Sequence, residues 1–155
     1  MVPLLIVGLS EPLVFQVRNH PNQVVYFNQI VGGPGGAFGR FELDYWGNSI
    51  LQAVEWSNRL ARRSFLPLVV SGTPAHIVRS DTPRYHSVAF AEPESKSHHI
   101  EIQLLRRSPG VRARLLQHPA ILHVVRTADG APLCLIVAGP LYERIAATLD
   151  LSNDP

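Results

Sequence analysis

Two carboxylates set two residues apart, Glu42 and Asp44, have the spacing that chemistry on a sugar would use. On an extended chain both project to one face, about 6.5–7 Å apart from the rise per residue. That separation approaches the carboxylate pair of an inverting glycosidase. Both groups belong to one segment, however, which is poor geometry for flanking a sugar ring from opposite sides. Binding asks less of them. Carboxylates and the Asn28 amide accept hydrogen bonds from hydroxyls, while Tyr45 or Trp46 offers a flat apolar face. Tyr26, Arg40 and Asn48 complete a polar and aromatic set within the same short stretch. The candidate ligand-binding residues are therefore Tyr26, Asn28, Arg40, Glu42, Asp44, Tyr45, Trp46 and Asn48, and no residue is assigned a catalytic role. The structural alternatives are Asp44 capping a turn before Trp46 and Gly47, Glu42 pairing with Arg40, and the rings packing this stretch onto the following helix.

Glycines interleave these residues: Gly32-Gly33-Pro34-Gly35-Gly36, then Gly39. A P-loop ends in Gly-Lys-Ser/Thr and opens a helix, whereas this run continues Gly39-Arg40-Phe41. A dinucleotide fingerprint needs a strand before it and a helix directly after it, and Phe41–Trp46 intervenes. Successive amides with Arg40 can still hold one phosphate group, since consecutive backbone amides form anion nests. Glycine at this density predicts a loop over 32–39.

Other reactive side chains lack the required spacing. His98 and His99 are adjacent, so on a strand they face opposite ways. His99 and Glu101 share a face, but a zinc site would need a third ligand such as His86 from elsewhere. Neither His-Glu-x-x-His nor Cys-x-x-Cys occurs, and no metal or other cofactor is implied. The single cysteine, Cys134, lies in an apolar run and reads as an inert core residue. No Gly-x-Ser-x-Gly elbow supports a serine hydrolase.

The chain has 155 residues, 46% apolar and only 17% charged, against about 25% charged in an average soluble domain. That excludes an acidic disordered chain, a coiled coil and a collagen-like repeat. Formal net charge is +2, and thirteen of the fourteen bases are arginine. They are scattered as Arg62–Arg63, Arg106–Arg107 and Arg112 with Arg114, rather than forming the dense basic stripe of a nucleic-acid binder. Nucleic acid is not an expected partner.

Three regions follow. Residues 1–19 are apolar, but Pro3, Glu11 and Pro12 interrupt them, short of the roughly 20 mostly apolar residues a spanning helix needs. They read as a core or juxtamembrane segment. Residues 20–48 hold the glycines and six of the twelve aromatic residues. Residues 49–155 form an α/β unit. Ser49 with Gln52 has capping-box spacing for a helix running to about Arg63. Phe65–Ser71 predicts a buried strand, and Thr73-Pro74 predicts an N-cap and first position for a helix to about Arg79. Ser87–Ala91 and Ile100–Leu105 predict strands. Ile121–Arg126 and Pro132–Ala138 predict a hairpin turning at Asp129-Gly130. Leu141–Leu149 predicts a closing helix. The expected class is α/β: a mixed sheet of about five strands with helices packed on it.

One run is more specific than its composition. From His20-Pro21-Asn22-Gln23-Val24-Val25-Tyr26-Phe27-Asn28, through Val31-Gly32-Gly33, to Gly36-Ala37-Phe38-Gly39-Arg40-Phe41-Glu42-Leu43-Asp44-Tyr45-Trp46-Gly47-Asn48-Ser49, it resembles a stretch in bacterial membrane glycosyltransferases related to family 39. These are relatives of the protein O-mannosyltransferases and lipid A aminoarabinose transferases, and the stretch follows their last membrane span. Ala53-Val54-Glu55-Trp56 is similar as well, whereas Asn22 stands where that family has an aromatic residue. The resemblance implies a non-catalytic domain on the extracytoplasmic face of the cell membrane. It would partner the membrane part of the same or a parent protein and help position a polyprenyl-phosphate-linked sugar or its acceptor. Residues 1–19 would then be the remnant of the last span or a juxtamembrane helix. From another class, the same residues describe a free-standing α/β module binding a sugar or phosphate; a third reading is a small enzyme using Glu42 and Asp44.

Overall fold

The computed structural model describes residues 2–105, 116–117, 119–149 and 151. The arginines Arg106, Arg107, Arg112 and Arg114 lie outside the described residues. The protein is α/β. One mixed five-stranded sheet, with strands β1 (Leu68–Thr73), β2 (Val88–Phe90), β3 (Ile100–Leu104), β4 (Ile121–Arg126) and β5 (Pro132–Ala138), is ordered β2-β1-β3-β5-β4. β1 runs parallel to both β2 and β3, while β5 runs antiparallel to β3 and β4. The expected C-terminal hairpin is present. Its turn closes through Gly130 N–H to Thr127 O at 2.9 Å, with Gly130 in the left-handed region that glycine favours.

Helix α3 (Asn48–Ser64) lies along one face of the sheet. Its Ile50, Ala53, Val54, Ser57, Leu60 and Ala61 recur at helical spacing and are all buried. They pack on Leu68 and Val70 of β1, Ile100 and Ile102 of β3, and Cys134 and Ile136 of β5. Trp56 leaves this stripe to stack on His123 of β4, ring centroids 5.0 Å apart. The remaining α-helices described are α1 (Val2–Arg18), α2 (Gly33–Ala37) and α4 (Ala75–Asp81).

The N-terminal segment serves a second core. Phe15 of α1, Val25, Ala37 and Leu43 surround Ala131 and Leu133 at the hairpin. Asn19 accepts a hydrogen bond from Ala128 N–H at 2.8 Å, closing a contact across 109 residues. Leu9, Leu13, Val14 and Val17 stay exposed on the other side of α1. Among the described residues, no helix is long and apolar enough to cross a membrane.

Several boundaries differ from the sequence reading, each for a local reason. The 32–39 loop contains a single helical turn, α2, with Pro34 in its first turn, where a missing N–H is harmless. Its glycines serve close approach: a Cβ on Gly36 would lie 2.0 Å from the Val31 carbonyl oxygen. The Ser49–Gln52 capping box does not form; Gly47 precedes α3, and Gln52 accepts instead from the Asn22 amide at 2.7 Å. Thr73 is the last residue of β1 rather than a helix cap, and α4 begins after Pro74 and runs to Asp81. Phe65 caps α3 in a left-handed conformation with its side chain exposed, so β1 begins only at Leu68. In place of a helix over Leu141–Leu149 there are two 3-10 turns, Tyr142–Arg144 and Ala146–Thr148.

The parallel pair β1–β3 leaves no room above Gly72. A Cβ there would sit 2.2 Å from the Ile102 carbonyl oxygen, a backbone atom that cannot swing aside. Gly72→Ala should therefore destabilise the fold by about 1–3 kcal/mol, the range for overpacking. Urea unfolding followed by circular dichroism checks this, and an unchanged midpoint would contradict the packing.

Candidate functional site

The eight candidate residues divide by environment. Tyr26 is half-buried: its ring meets Phe15 edge-on at 5.2 Å and its hydroxyl donates to Glu11 Oε1 at 3.3 Å. Burial and the Glu11 charge both raise the Tyr26 hydroxyl above the ordinary phenol range. Asn28 is exposed, and its Oδ1 accepts from Val31 N–H at 3.3 Å, closing a 3-10 turn. Asp44 is only 3% exposed. Its two carboxylate oxygens accept from Asn48 N–H at 2.9 Å and Ser49 N–H at 2.8 Å. These amides belong to the first turn of α3, which has no internal partner for them, and a negative charge is favourable at that end. Asp44 is thus a helix cap supplied from four residues upstream. Both Asp44 oxygens thus serve the helix head, while Glu42 stays at the surface.

The other five remain at the surface: Arg40, Glu42, Tyr45 and Trp46 exposed, Asn48 half-buried. No ion pair between Arg40 and Glu42 occurs among the described residues. Trp46 is 69% exposed, and Tyr45 meets it edge-on at 5.2 Å with the ring planes 87° apart. Gly47 sets this geometry. Its left-handed backbone turns the chain from Trp46 into α3, and a Cβ there would lie 2.9 Å from Ile77 Cδ1. The missing side chain lets α4 close against the head of α3.

Where those elements meet, an open groove of about 420 Å³ forms. Trp46 and Asn48 line one side, Leu51 lies along α3, and Ser80, Asp81 and Arg84 line the other. The structure thus brings two sequence candidates together with three polar residues that sequence reasoning missed. Asp81 is 8% exposed, and Arg84 Nη2 approaches its Oδ1 at 3.5 Å. Burial raises the Asp81 carboxyl above the usual carboxylate range, and the Arg84 charge only partly offsets this. The turn carrying them is braced: the Thr82 hydroxyl donates to Val78 O at 2.7 Å. An Asp-Thr-Pro-Arg turn after a short helix was the available signal, but it does not reveal which surface it will face.

Other reactive groups are structural. The Cys134 thiol is fully buried, and desolvation pushes it far above the ordinary thiol range, which makes it inert. His98 is buried against Gly139, and burial holds it below the usual imidazole range. His99 Nδ1 accepts from Val69 N–H at 3.0 Å. No group of three His, Cys, Asp or Glu able to hold a metal ion occurs among the described residues. Comparison with family models, with curated proteins and with solved structures finds no match to this chain.

Two outcomes separate the structural carboxylates from the open ones. Asp44→Ala should cost about 1–2 kcal/mol, as loss of a helix cap does. Glu42→Ala should stay within about 0.5 kcal/mol, as exposed changes do; urea titration of both measures the contrast. Asp81 has the opposite sign. Its folded pKa lies above its unfolded one, so its charge destabilises the fold at neutral pH and the penalty lifts on acidification. Asp81→Asn should melt higher than the parent at pH 7, with the gap closing toward about pH 4. Thermal melts across that window check it, and a gap that widens on acidification would contradict the burial.

Proposed function

We propose that this chain is a non-catalytic extracytoplasmic domain of a membrane glycosyltransferase-like protein using polyprenyl-phosphate-linked sugar. In that role it helps to position donor or acceptor rather than to break a glycosidic bond. One observation carries the reading. The segment that resembles the family-39-related enzymes splits into a part locked into the fold, with Asp44 at the head of α3, and an aromatic edge at Tyr45 and Trp46 left open beside a polar groove. A segment that served packing alone would have buried those rings. The exposed apolar side of α1, with Leu9, Leu13 and Val17, fits a place beside a membrane or a membrane part of the same protein.

Two measurements test this together. Alkaline phosphatase fused after the last residue of the natural reading frame should be active, as expected for an extracytoplasmic C-terminus. The purified chain, mixed with a polyprenyl-phosphate-linked hexose and an acceptor, should transfer no sugar. A silent phosphatase paired with an active cytoplasmic reporter at the same position would overturn the placement. Sugar transfer by the chain alone would overturn the non-catalytic role.

A further inference from the structure

We infer that the groove between Trp46 and the end of α4 binds a neutral pyranose ring, with Trp46 as the stacking face and the Asp81–Arg84 pair reading two adjacent hydroxyls. The inference rests on the reading of this chain as a sugar-positioning domain, and it names the place and the ligand chemistry.

Three features of the groove converge. Trp46 leaves most of its surface open, and Tyr45 packs beside it at 5.2 Å with the ring planes 87° apart, so the indole is held by a neighbouring ring while staying accessible. A sugar ring presents C–H groups on one face, and these pack on an aromatic plane while the hydroxyls point outward. The second feature is charge. Asp81 and Arg84 set an acceptor beside a donor at 3.5 Å with no net charge. Adjacent hydroxyls match that pattern: one donates to the carboxylate while the neighbouring oxygen accepts from the guanidinium. A phosphate meets the same carboxylate with repulsion, so the pair favours a neutral ring over a sugar phosphate.

The third feature is construction. The groove's volume of about 420 Å³ lies within the range of small-molecule sites, about 300–1,000 Å³. Its walls are the first turn of α3 and the last turn of α4, joined through Gly47 and the braced Thr82–Arg84 turn. Asn48 and Ser80 add neutral hydrogen-bonding groups at the rim. A carboxylate kept in a position that burial makes unfavourable is the trade expected where binding outweighs stability.

The test uses the full chain, isotope-labelled, with backbone amides and the Trp46 indole N–H followed by NMR. Methyl glucopyranoside and methyl mannopyranoside are titrated in separate arms, and glucose 1-phosphate in a third. Expected are saturable shifts confined to the groove with one or both methyl glycosides, with Kd on the order of millimolar. Glucose 1-phosphate should bind at least about tenfold more weakly, as should the Trp46→Ala and Asp81→Asn variants toward the glycosides. Arg84→Met changes a largely exposed side chain and should weaken binding while amide shifts outside residues 80–85 stay those of the folded parent, which keeps the test decisive if Trp46→Ala misfolds. Absence of groove shifts up to about 100 mM of either glycoside would overturn the proposal. So would tighter binding of the sugar phosphate. Shifts confined to another surface would overturn this site while leaving the sugar-positioning reading intact, and the phosphatase fusion tests membrane placement separately.

Discussion

The head of α3 holds the two halves of this protein together. Four amides at a helix start have no partner within the helix, and leaving them buried without one costs stability. Here Asp44 satisfies Asn48 and Ser49 while Gly47 turns the chain beneath them. The carboxylate is buried, but its charge is compensated by two N–H donors and by the positive end of the helix. Everything upstream is then fixed against the sheet. Leu43 enters the core built around Leu133, and Trp46 is directed outward.

The same constraint shapes the groove. Gly47 takes a left-handed backbone and leaves space where the Ile77 side chain of α4 comes against the head of α3. That approach places a short helix end, with Asp81 and Arg84, in the same groove as Trp46. Two carboxylates thus lie near the same helix head with opposite consequences. Asp44 faces amides that favour its charge. Asp81 is largely buried with one mostly exposed guanidinium beside it, and its charge is disfavoured. The difference between a structural and an open carboxylate lies in which donors reach it, not in the residue type.

What was legible in the sequence follows from this. Alternating apolar runs marked the strands, and the hairpin followed from Asp129-Gly130, because those signals are local. Boundaries failed where a distant group took over a local role. Ser49 and Gln52 had cap spacing, but Asp44 reached the amides first and Gln52 turned to Asn22. Gly33–Ala37 reads as a loop by propensity, yet a helical turn forms because Gly36 can press against the Val31 carbonyl. The segment holding the site was visible from its glycines and aromatic rings. Its other wall was not, since nothing in Asp81-Thr82-Pro83-Arg84 shows that the fold will carry it across to Trp46.

Helix α1 shows the same division along a single element. Glu11 and Phe15, with Asn19 just past the helix end, are spaced by four and face inward: Glu11 accepts from Gln29 N–H at 2.8 Å, Phe15 meets Tyr26, and Asn19 holds the hairpin turn. Leu9, Leu13 and Val17 share that spacing on the outer side and remain exposed. The arrangement inverts a usual surface helix, since its acidic group is turned into the protein and its apolar stripe is turned out. In water alone that orientation forfeits burial that a rotation of the helix would recover. Phe15 and Asn19 oppose the rotation, because turning α1 would pull Phe15 out of the core around Leu133 and leave the part-buried Ala128 N–H without its acceptor. An outward stripe held in place by inward hydrogen bonds is coherent for a helix whose outer side meets an apolar neighbour. That stripe on α1 is separate from the groove at the junction of α3 and α4.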